Sequence, residues 1–115
     1  MTPLRKKRAA EAAKTRREEL KRALQLVSHT AMAPFERIRA TMPKSYTGPA
    51  FDRWLNRQQE VAREVAAKLR AEGATITEGT SGTTVFLSGI RATSSMGLQG
   101  ALRNWRKQAT EKARA

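Results

Sequence analysis

Nine bases fall within eighteen residues near the N-terminus: Arg5, Lys6, Lys7, Arg8, Lys14, Arg16, Arg17, Lys21 and Arg22. Lysine and arginine donate hydrogen bonds and positive charge, and the guanidinium fork of arginine matches two oxygens of a phosphate. Wound as a helix, this spacing spreads bases around much of the circumference. Such a helix can lie in a nucleic-acid groove and meet phosphates on both sides. The plainer alternative is a solvated helix carrying pairs such as Glu18–Arg22 at i, i+4. A second cluster, Arg103, Arg106, Lys107, Lys112 and Arg114, lies near the C-terminus. Arg103, Lys107 and Arg114 share one helical face, and Arg106 is about 60–80° from it. Bases there also favour the helix macrodipole by about 0.3–1 kcal/mol, with no ligand needed.

The charge is uneven. Residues 1–50 hold twelve bases and four acids, residues 51–72 five and four, and residues 73–115 six and two, for a net charge of +13 on 115 residues. So large an excess on a short chain repels itself until counter-charge arrives, and it points to a polyanionic partner. Nucleic acid, DNA or RNA, is the expected one. A membrane surface is not expected, because no helix sets a broad Trp/Phe/Leu face against a lysine face.

Two further groups bear on binding. Ser88-Gly89-Ile90-Arg91-Ala92-Thr93-Ser94-Ser95-Met96-Gly97 joins Arg91 and several hydroxyls to a predicted helix N-terminus, where exposed N–H groups can hold a phosphate. Ordinary capping uses the same residues. Among the aromatics, Trp54 and Trp105 fall on apolar helical stripes and read as core. Tyr46, in a loop, and Phe86, opposite in direction to Val85 and Leu87, are the candidates for stacking on bases.

No catalytic residue, metal site or cofactor is expected. There is no cysteine and one histidine, His29, so disulfides, thiolate zinc sites and cysteine nucleophiles are excluded. The acids are scattered on helix faces. Glu60 and Glu64 lie one turn apart beside Arg57, Arg63 and Lys68, where ion pairing is their natural role. Gly79-Thr80-Ser81-Gly82 is too short for a phosphate loop and lacks lysine. No apolar run is long enough to span a bilayer. The basic N-terminus lacks the apolar stretch of a signal peptide, and Glu11, Glu18 and Glu19 argue against a transit peptide, so a cytoplasmic location is expected.

The elements that must carry these groups are an α+β set, mainly helical. Thr2-Pro3 starts a helix running to about His29, with Leu20, Leu24, Val27 and Ala31 as its buried stripe. Ala33-Pro34-Phe35 begins a second, short helix that Pro43 ends. A third runs from about Pro49 to Ala71, with Gly73 just past its end. Residues 74–78 and 83–88 form a two-stranded antiparallel hairpin with a four-residue loop. A last helix, capped by Thr93, Ser94 or Ser95, runs to about Lys112, with Leu98, Ala101, Leu102, Trp105 and Ala109 inside. Large apolar residues begin in earnest at Leu20. The expected organisation is therefore a basic helical extension, residues 1–19, on a single small domain, residues 20–115.

The run Lys14-Thr15-Arg16-Arg17-Glu18-Glu19-Leu20-Lys21-Arg22 resembles the arginine-rich helices of phage antiterminators, which implies RNA. The hairpin beside helices resembles the wing of a winged-helix domain, although its recognition helix would be residues 49–71, which are nearly neutral. The leading reading is a small basic nucleic-acid-binding accessory protein that meets the phosphate backbone through both basic helices. The alternative is a phage-type inhibitor or adaptor, resembling anti-CRISPR proteins, that docks on an acidic face of a nucleoprotein enzyme of bacterial defence. A homodimer formed through residues 20–27 would present two basic arms.

Overall fold

A computed structural model describes residues 3–114, with side chains from residue 7 onward. The Thr2 cap lies outside the described residues. Helix α1 spans Pro3–Leu26, a π-helical turn spans Val27–Met32, and helix α2 spans Ala33–Ala40. Sequence reading separates the first two helices; in the structure they form one uninterrupted run. Pro34 accounts for the join. In an α-helix its ring would meet the carbonyl four residues back, and it has no N–H to donate. The wider π turn precedes it, with the Ala33 N–H reaching back to the Ser28 carbonyl.

Helix α3 spans Pro49–Ala71, as expected, entered through Gly48 at φ 97° and left through Gly73 at φ 96°. At its end the Ala74 N–H bonds the Leu69 carbonyl at 2.9 Å and the Gly73 N–H bonds the Arg70 carbonyl at 3.0 Å. This is a Schellman stop, and its left-handed residue favours glycine.

The sheet has three strands, not two: β1 Thr75–Gly79, β2 Gly82–Leu87 and β3 Ile90–Ser94, all antiparallel in that order. The segment expected as a loop and helix cap is largely β3. Ser88 at φ 51° and Gly89 at φ 76° make a two-residue turn that closes Leu87 onto Ile90. Two positive φ values in sequence match the twist of a tight hairpin. The first hairpin is also tighter than expected, because Gly79 pairs with Gly82 and only Thr80-Ser81 remain as loop. A side chain at Gly82 would run into the Ser94 backbone, so β3 approaches β2 too closely there for any other residue.

Helix α4, Gly97–Arg114, packs on β2 and β3 and, on another side, on α1 and the π turn. Trp105 is fully buried, and its indole N–H donates to the Leu87 carbonyl at 3.1 Å. The core gathers Leu20, Val27 and Phe35 with Val65, Leu69, Val85, Leu102 and Trp105. A side chain bonds one backbone carbonyl on each edge strand. Arg70 donates to the Ile76 carbonyl on β1, and Asn104 donates to the Thr93 carbonyl on β3, each at 2.9 Å. Edge pairing with another chain is thereby blunted.

Candidate nucleic-acid interface

Along α1 and into the π turn one stripe runs through Ala9, Ala13, Arg16, Leu20, Ala23 and Val27, spaced four and three residues apart. The last three are buried and Ala13 is half-buried. Among the described side chains before Leu20, none is large and apolar, so none of that kind holds this part of the helix to the body. There the helix carries Lys7, Arg8, Lys14, Arg16 and Arg17, all exposed, as are Lys21 and Arg22 further along. The side chains of Arg5 and Lys6 lie outside the described residues.

The described bases of α1, Lys7 to Arg22, stand without carboxylate partners among the described residues. Among the described residues only Arg57 forms ion pairs, to Glu60 at 3.1 Å and to Glu64 at 3.8 Å. The Glu18–Arg22 pair of the solvated-helix reading does not form. What the sequence treats as a neutral scaffold helix is therefore where acid and base neutralise one another, and the positive field of α1 is left open.

The fold brings parts of the two basic clusters together. A groove of about 440 Å³ between α1, α4 and the β2–β3 turn is lined by Arg16, Arg17 and Lys112, with Ser88, the buried Leu20 and Ile90, and one carboxylate, Glu19. Arg103 and Lys107 are exposed further back along α4, and Arg106 is half-buried. Ser88 holds a left-handed backbone that costs a non-glycine residue about 1–2 kcal/mol. Sequence reading takes Ser88 as the end of a strand and the head of a segment leading to the α4 N-terminus, and so does not place it beside Arg16, Arg17 and Lys112.

Arg91 is not brought to the α4 N-terminus. It projects from the outer face of β3, with its guanidinium 6.0 Å from the centroid of the Phe86 ring. The Ser94 hydroxyl accepts the Met96 N–H at 3.0 Å, an ordinary turn contact. The outer sheet face carries Thr75, Phe86 and Arg91 in one cross-strand row and Thr77, Thr84 and Thr93 in the next. Phe86 is 42% exposed.

Tyr46 lies elsewhere. It sits in the α2–α3 loop, 69% exposed, its ring edge-on to Phe51 at 6.0 Å. Phe51 in turn stacks on Trp54 at 5.8 Å. Trp54 is half-buried outside the main core, and its indole N–H bonds the Ile38 carbonyl at 2.8 Å. The two stacking candidates are far apart: α3 has 23 residues, about 34 Å of helix, with Tyr46 just before it and the partner strand of Phe86 just after. The bases Arg37, Arg39, Lys44 and Arg53 flank Tyr46 in sequence and escape a reading that counts residues 1–50 as one basic block and residues 51–72 as a nearly neutral one. Aromatic residues interleaved with bases over residues 37–54 would have marked them.

Among the described residues no cluster of His, Asp or Glu could hold a metal ion, and no helix is long and apolar enough to cross a membrane. No protein-family model, curated protein or solved structure matches the chain.

Proposed function

We propose that the chain is a small nucleic-acid-binding accessory protein, with residues 1–19 as a basic arm on a domain formed by the remainder. The supporting observation is the groove in which Arg16 and Arg17 of α1 meet Lys112 of α4 without neutralising ion pairs. An α-helix with its side chains is about 10–12 Å across, and the major groove of B-DNA is about 12 Å wide. The arm therefore fits a duplex groove, while Arg103, Lys107 and Lys112 reach the flanking backbone. These contacts are to phosphate, so they fix position and affinity more than sequence.

A gel shift of the full chain against duplex DNA, single-stranded DNA and RNA at two salt concentrations tests the reading. Replacing Arg16, Arg17 and Lys112 together by alanine should weaken duplex binding and flatten its salt dependence by about 0.9 per lost contact. Equal binding by this variant would remove the groove from the interface.

One observation favours the second reading. The groove floor is apolar, with Leu20 and Ile90, which phosphate does not require. An acidic amphipathic helix of a nucleoprotein enzyme would fill both floor and rim. Leu20→Ser at that floor should then cost more affinity for such a partner than for DNA.

A further inference from the structure

We infer that the α2–α3 tip is a second nucleic-acid site, built for single strands: an unpaired base stacks on Tyr46 while Arg39, Lys44 and Arg53 meet the neighbouring phosphates. The inference rests on the reading of the chain as a nucleic-acid binder and adds a site at its other end.

Six aromatic residues occur in the chain. Phe35 and Trp105 are in the core. Three of the other four form the stepped series Tyr46, Phe51, Trp54 at the tip. The inner two have structural work: Trp54 ties α3 to the last turn of α2, and Phe51 lies flat against it. Tyr46 has no such task. Among the described residues no hydrogen bond reaches its hydroxyl, and its ring, 69% exposed, meets Phe51 in a single T-shaped contact. The loop under it is ordered locally: the Ser45 hydroxyl donates to the Thr47 carbonyl at 3.2 Å. The ring is thus presented on a supported turn instead of a free tail.

The charge around it selects the occupant. Arg39 is exposed on α2, Lys44 in the loop and Arg53 on α3, and none forms an ion pair among the described residues, whereas Arg37 lines a groove further along α3 with Arg57, Glu64 and Lys68. Glu36 and Asp52 are the acids of the same segment, and Asp52 lies in the first turn of α3, where it complements the helix dipole. Bases before and after an exposed ring in the chain suit a phosphodiester strand with splayed bases. A duplex does not offer this, because its base faces are already stacked. The sheet face has the same elements in weaker form, with one ring and one arginine already lying over it.

The helical run Pro3–Ala40 holds 38 residues by its printed bounds, about 57 Å if straight. In a molecule measuring 69 × 27 × 24 Å it can lie only along the long axis. The tip and the arm are therefore at opposite ends, and one can be altered without touching the other.

The test measures binding of an oligothymidylate and of a DNA duplex to the full chain by fluorescence anisotropy at low salt. Tyr46→Ala should weaken the single strand about 5- to 150-fold and leave the duplex unchanged. Tyr46→Phe, which keeps the ring, should bind as the native chain does. Tyr46→Trp should keep affinity and show indole quenching with the single strand alone. Phe86→Ala serves as the control and should have no effect. Wild-type affinity in Tyr46→Ala, or duplex binding with no single-strand binding, would overturn the inference while the arm's role stands. Absence of binding to either nucleic acid would overturn both.

Discussion

The two ends of this molecule carry charge of one sign but differ in what lies between the charges. At the arm the bases are separated by alanine, glutamate and threonine. At the tip they are interleaved in sequence with three aromatic residues. Charge alone can read only phosphate, so the arm is suited to a backbone of any sequence. Charge with an open ring can also hold a base, so the tip is suited to strands whose bases are unpaired. A net charge of +13 therefore describes two different surfaces.

The comparison assumes that both ends stand on one rigid body, and the largest effect should come from breaking that body. Trp105→Ala empties a fully buried site and strands the Leu87 carbonyl. It should cost about 3–5 kcal/mol, read by chemical denaturation, and both ends should lose binding together. Trp54 offers the contrast. Trp54→Phe removes the bond to Ile38 and part of the stack on a half-buried residue. It should cost about 0.5–1.5 kcal/mol, and single-strand binding should fall while duplex binding holds. Smaller still is Ser88→Asn, which eases the left-handed turn beside the basic groove and should stabilise the chain by up to about 1 kcal/mol. Unchanged duplex binding in that variant would mean that the Ser88 hydroxyl makes no phosphate contact.

The legible parts of the fold were those bracketed by residues with one meaning. Pro49 and Gly73 bound α3 at both ends, and the β-branched runs around Ile76 and Val85, separated by the glycine-bounded turn 79–82, marked the first hairpin. The third strand was hidden by two ambiguities. Ser88 occupies a conformation usually left to glycine or asparagine, so Ser88-Gly89 reads as the end of a strand. Thr93, Ser94 and Ser95 are strand, turn and cap residues equally. Ile90 and Ala92, buried between exposed Arg91 and Thr93, carried the alternation that would have revealed it. The join of α1 to α2 was masked by Pro34, which marks a break in an α-helix but not in one that widens first.

For the candidate sites, the bases were legible as types and the division between the ends was not. Arg37, Arg39 and Lys44 are close to the arm in sequence. A continuous helical run carries them to the opposite end, and no local pattern contains that distance. Conversely, Arg17 and Lys112 are far apart in sequence and line one groove, because Ala109 and the half-buried Ala113 bring the end of α4 into the core beside α1.

The most direct test is duplex DNA affinity as a function of salt, for the full chain and for the chain lacking residues 1–19. With four to six phosphate contacts, the full chain should show a log–log slope of about −3.6 to −5.4. Removing the arm should bring the slope markedly closer to zero while the remaining residues stay folded by circular dichroism. A slope near zero in the full chain, or the same slope with and without the arm, would contradict the account.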